Sequence, residues 1–174
     1  MNRLLRKLEG GDRRSIGKVE DVVNAVLKNS ALFKVLIDGL FVEDSVVRMR
    51  AADAIEKITL DHSEYLQPHK RRIIKLAVET KQQEVRWHIA QIMPRLHLTP
   101  KEKTKVVDIL FDYLQDKSKI VVTFALQALA DFATEEKKLR FRVICALEDL
   151  SKTGSPAVKN RGKKLLGKLQ NING

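Results

Sequence analysis

The sequence predicts an all-α protein built from helical hairpins that repeat along the chain. Three observations carry that prediction. An amphipathic pattern recurs four times at nearly constant spacing, and a second apolar helical pattern lies between successive copies. Gly and Pro, at 8 and 4 of 174 residues, are too few for a turn-dense β fold. No segment sustains the period-2 alternation of a half-buried strand.

The four copies are VRMRAADAIEKI (47–58), EVRWHIAQIMPRL (84–96), IVVTFALQALADF (120–132) and AVKNRGKKLLGKL (157–169). Aligning Val47, Val85, Val121 and Val158 superposes them at spacings of 38, 36 and 37 residues. Ala51, Ile89, Ala125 and Gly162 then follow at four residues; Ile55, Met93, Leu129 and Leu166 at eight; and Ile58, Leu96, Phe132 and Leu169 at eleven. These offsets fall on one face of a 3.6-residue helix. A proline at position 94 ends or kinks the second copy.

The intervening helices are expected at 31–42, roughly 64–79, 102–115 and 136–150. Between elements stand Asn29-Ser30, Glu43-Asp44-Ser45, Leu98-Thr99-Pro100 and Thr153-Gly154-Ser155-Pro156. Ser and Thr can cap free helical N–H groups, and Pro is tolerated in a first turn. The expected organisation is one domain over 1–174, with N-terminal capping helices in 1–29 and repeats over 30–60, 64–97, 101–134 and 136–170.

Asp44-Ser45-Val46-Val47-Arg48 followed by Ala51-Ala52, and Glu84-Val85-Arg86 followed by Ile89-Ala90, resemble HEAT repeats. That family's second helix begins with Asp-x-x-Val-Arg and runs into a pair of small residues. The third copy departs, with Val122 in place of the Arg, and the fourth carries Lys159 there. The resemblance spans about residues 30–170 and includes small bacterial HEAT-repeat proteins without assigned activity. It implies a right-handed α-solenoid of about four HEAT-like hairpins plus N-terminal helices, with the second helices lining a concave groove. It also implies that Arg48 and Arg86 are scaffold residues, paired with carboxylates such as Asp44 or Glu84. On function it implies only a class, since one scaffold hosts many activities.

The net charge of +11 is unevenly placed. Residues 1–18 hold six Lys/Arg against Glu9 and Asp12, and residues 151–174 hold six with no acid, leaving the body near neutral. Solvated end caps account for this charge structurally. A polyanion site there is the competing explanation, with Arg13, Arg14, Arg161 and Lys164 as its candidates. The segment GGDRRSIGK (10–18) lacks the glycine spacing and the Lys-Ser/Thr pair of a phosphate-binding loop. There Gly10-Gly11 should stop a first helix, and Asp12 or Ser15 should make a local turn.

Rows at fixed offsets from the aligned valines should face the groove. These are Met49, Trp87, Thr123 and Asn160; Asp53, Gln91, Gln127 and Lys164; Arg50, His88, Phe124 and Arg161; and Lys57, Arg95, Asp131 and Lys168. Arg50, Trp87, His88, Gln91, Arg95, Phe124 and Gln127 are the candidate partner-binding residues, Trp87 as anchor. No catalytic, cofactor or metal site is marked: His62, His69, His88 and His97 have no ligand spacing, and Cys145 stands alone. HEAT-like DNA glycosylases need several aromatics and a carboxylate around an extruded base, for which Trp87, Phe124, Asp53 and Asp131 are thin material. Nothing marks the bilin site of HEAT-like chromophore lyases. The expectation is a non-enzymatic, cytoplasmic, monomeric scaffold for a protein or peptide, free of membrane, with nucleic acid as the alternative partner.

Overall fold

The computed structural model describes residues 2–11, 15 and 17–172, so Asp12, Arg13 and Arg14 lie outside the described residues. Among those described, ten α-helices, three 3₁₀ turns and no strand are present. The helices are α1 (Arg3–Arg6), α2 (Val19–Lys28), α3 (Phe33–Gly39), α4 (Ser45–Ile58), α5 (Lys70–Glu79), α6 (Gln83–Ile92), α7 (Pro100–Tyr113), α8 (Lys119–Glu135), α9 (Lys137–Thr153) and α10 (Pro156–Asn171). None is long and apolar enough to cross a membrane. They form two compact units, one ending at His97 and one starting at Leu98.

In the first unit α2, α4 and α6 stack side by side, with α1 against α3, α3 against α4, and α5 against α6. In the second unit α8 packs on α7, α9 and α10, and α9 on α10. Apart from α2, the stacked second helices are the predicted copies, and their register is the predicted one except in α10, where Leu165 rather than Leu166 is buried. Val47, Val85, Val121 and Val158 are all buried, as are Ile58, Leu96, Phe132 and Leu169 eleven residues on. A buried Val contributes roughly 1.5–3 kcal/mol through the apolar surface it removes from water. Small residues set the spacing. A Cβ on Gly162 would lie 2.5 Å from the Ser151 hydroxyl of α9, and one on Gly39 would lie 2.7 Å from Leu5.

Two boundaries follow from proline chemistry. The helix expected over 64–79 begins as a 3₁₀ segment, Ser63–His69, containing Pro68, and becomes α-helical only at Lys70. The second copy stops at Ile92 and passes into a 3₁₀ turn, Met93–Arg95, because Pro94 lacks the N–H that another α-turn needs. Capping is as expected at Thr99. Its hydroxyl accepts from the Glu102 N–H while Glu102 accepts from the Thr99 N–H, a reciprocal box.

Arg48 is scaffold, but its partners are not carboxylates. It donates to the Val42 and Glu43 carbonyls at 2.8 and 2.7 Å and to Gln82 Oε1 at 2.8 Å. Asp44 instead caps α4, accepting from the Val46 and Val47 N–H groups. Arg86 repeats the pattern, donating to the Thr80 carbonyl six residues upstream. Each arginine therefore ties its helix to the loop that precedes it.

Arg50 departs most from expectation. It is 2% exposed and does not face a groove. Its guanidinium donates to the carbonyls of Leu8, Glu9, Gly10 and Ser15, which tie the N-terminal segment to α4. Gly10 and Gly11 adopt φ of +72° and +75°, where a side chain is strained, but α1 has already ended at Arg6 with Lys7 as its C-cap, so the glycines turn the chain rather than stop the helix. Ser15 makes the local turn, accepting from the Gly17 N–H at 3.1 Å. Gly17, at φ +57°, lies so close that a Cβ would sit 2.9 Å from the Arg50 guanidinium carbon.

Arg50→Ala removes the donor to four carbonyls and is expected to cost about 3 kcal/mol, with faster proteolysis inside residues 8–17. Gly17→Ala should cost about 1–2 kcal/mol through the left-handed backbone and the clash. Urea denaturation with limited proteolysis checks both.

Candidate binding face on the second helices

In the first unit the candidate face comprises side chains of α2, α4 and α6. Lys57 of α4 pairs with Glu20 of α2 at 2.6 Å and with Asp53, one turn back, at 3.4 Å. Burial disfavours charge on Lys57, but these two carboxylates outweigh it and raise its pKa. Asp53 moves upward because burial penalises its charge more than Lys57 favours it. Its Oδ2 is enclosed and lies within ion-pair range of Lys57 without hydrogen-bond alignment. Arg95 is engaged in the scaffold. It reaches back to α4, donating to the Glu56 carboxylate and carbonyl and to the Thr59 hydroxyl.

His88 is half-buried rather than presented to solvent, and its Nδ1 is enclosed without a partner. Burial lowers its pKa to about 4; Glu56 opposes that shift and Lys57 assists it. The ring is thus neutral at ordinary pH. Trp87 sits beside it, ring centroids 5.6 Å apart, and is partly exposed. One turn on, the Gln91 amide donates to the Trp87 carbonyl at 3.3 Å. The indole N–H donates to no group among the described residues. Of the first unit's candidates, Trp87 and Gln91 remain partly open, while Arg50 and Arg95 are held by backbone.

In the second unit Phe124 is partly exposed on α8. Gln127 is a link rather than an open contact. Its Oε1 accepts from Arg161 of α10 at 2.6 Å and its Nε2 donates to Asp131 at 3.0 Å. Lys168 approaches Asp131 at 3.7 Å. Lys163 and Lys164 are exposed on α10, so of the polyanion candidates described, Lys164 is open and Arg161 is engaged. Sequence reasoning missed the carbonyl clamps, because backbone acceptors leave no residue signature.

The depressed His88 pKa has a signed consequence. Below pH 6.5 the unfolded chain takes up the proton, while the folded chain resists until about pH 4. Stability should fall across that window by at most roughly 3 kcal/mol. Asp53, protonated earlier when folded, offsets part of the loss at the acid end. Urea midpoints from pH 7 to 4 should show this fall, and His88→Leu should flatten it. An equal slope in the variant would assign the effect elsewhere.

Similar solved structures include engineered and designed proteins. One engineered protein is 19% identical, with a TM-score of 0.65 over 97% of this chain and 80% of its own. A designed armadillo repeat protein is 17% identical, with a TM-score of 0.61 over 98% and 87%. A computationally designed armadillo repeat protein for modular peptide recognition is 16% identical, with a TM-score of 0.62 over 94% and 79%. Identities this low speak for the fold alone. No match was found among curated proteins. The family model of the HEAT repeat domain matches residues 6–169, and with the valine register buried as its helices require, the chain belongs to the HEAT repeat family.

Proposed function

We propose that this chain is a non-catalytic binding module that holds a protein or peptide segment on its second-helix face, with Trp87 as the anchor. The observation that carries the proposal is the state of that side chain. Its ring is partly open and its indole N–H is uncommitted, so it offers apolar area and one directional donor. Gln91 on the next turn adds an adaptable amide. The second unit, taken by itself, offers Phe124 as a partly exposed aromatic contact on α8, and Gln127 there contributes by exchanging its internal bonds for bonds to a partner. Peptide recognition by a designed armadillo repeat neighbour supports a peptide-sized partner for a scaffold of this fold.

The test uses a displayed library of linear peptides, with the emission of the single Trp as reporter. Selected peptides should shift that emission and bind at least about tenfold more weakly to Trp87→Ala, with affinity changing little with salt. Equal binding to the variant would overturn the assignment. So would tight binding of labelled DNA or RNA at physiological salt that falls away in Lys164→Glu.

A further inference from the structure

Helix α9 carries a face that nothing in its unit covers. Of its 17 residues only Val143 and Leu147 are buried, and they point toward its packing partners α8 and α10. On the opposite stripe Phe141 is 80% exposed. Cys145 beside it is exposed, and Ile144 is half-buried. Phe141 and Ile144, with Ile172 beyond α10, line a shallow cleft of about 400 Å³. Phe141 is not isolated: grouped with Ile144 and Ile172 around one cleft, it forms an exposed apolar patch of the kind that marks interaction surfaces.

The order of charges along α9 identifies one. Lys137 and Lys138 lie one turn before Phe141, and Glu148 and Asp149 lie one turn after Cys145. All four are exposed, and none has an ion-pair partner among the described residues. A stripe that runs basic, apolar, acidic is complementary to itself when turned end for end. An antiparallel two-fold packing centred near residue 143 sets Phe141 of one copy over Ile144 and Cys145 of the other. The same operation sets Lys137 and Lys138 over Glu148 and Asp149, twice by symmetry. Arg142, one position from the stripe, stays out of this interface. It pairs with Asp108 at 3.0 Å and stacks on Phe111.

We infer that the exposed face of α9 is a self-association surface, through which two copies of this chain form an antiparallel, two-fold dimer. One helix face about 25 Å long buries less than a standard interface, so the dimer is a weak one, with a dissociation constant on the order of 10 μM.

Sedimentation velocity on the full chain, across a concentration series spanning that value, provides the test. The wild type should pass from the 19.8 kDa of one chain to twice that mass. Phe141→Glu should weaken association by about 30-fold or more while leaving the thermal midpoint unchanged, because the side chain is exposed. The decisive arm is charge exchange. A K137E/K138E variant and an E148K/D149K variant should each be monomeric alone, and an equimolar mixture should recover a dimer, since only the mixed pair is complementary at both ends. A wild type that stays monomeric throughout overturns the proposal, as does a dimer indifferent to Phe141→Glu or a mixture that fails to associate.

Discussion

Within each unit the second helices stack with a buried valine and a buried residue four positions on, small in three copies (Ala51, Ala125, Gly162) and Ile89 in the other, and the remaining features accommodate that stacking. A lone helical hairpin cannot bury its apolar stripe, so burial depends on the neighbour, and the neighbour must approach closely. Val47 and Val85 in the first unit and Val121 and Val158 in the second are buried in that stacking, as are Ala51 and Ala125. Close packing leaves little room for long side chains between helices. The arginines on these helices therefore extend to the loops at the edges, where backbone carbonyls left free by chain reversals need donors.

That requirement explains why so much cationic charge is unavailable to a partner. Arg48, Arg50, Arg86 and Arg95 in the first unit, and Arg140 in the second, all donate to main-chain carbonyls. The planar, five-donor guanidinium suits this task, since one group can serve several acceptors at once. Arg50 serves four, and thereby ties Leu8, Glu9, Gly10 and Ser15 to α4. Net charge is thus a poor guide to polyanion binding here: a chain of +11 keeps much of its arginine for internal wiring.

The same economy of surface separates the two open aromatic positions. Trp87 stands beside His88, whose Nδ1 is enclosed without a partner, and near Arg95, which is held by Glu56, leaving the indole as an open element of its face. Phe141 instead lies between unpaired charges of opposite sign on one helix. The first arrangement suits an extended partner of varied sequence. The second suits a partner with the same order of charges reversed, and a second copy supplies it.

The sequence by itself determined the helical class, the four-copy register and most element boundaries. Those follow from local rules: a 3.6-residue period, a proline at position 94, and a Thr-x-x-Glu box at Thr99. It also separated Arg48 from the candidate partner residues. It could not decide that Arg50, two residues on, points into a loop from 40 residues earlier, or that Gln127 is held at both ends by Arg161 and Asp131. Offsets on a helix give the direction in which a side chain leaves the axis. What it meets there is set by distant segments, and when the acceptor is a backbone carbonyl, present at every position, no pattern of residue types announces it. Only the tertiary structure could show which exposed rows were truly open, because openness depends on what the rest of the chain leaves uncovered.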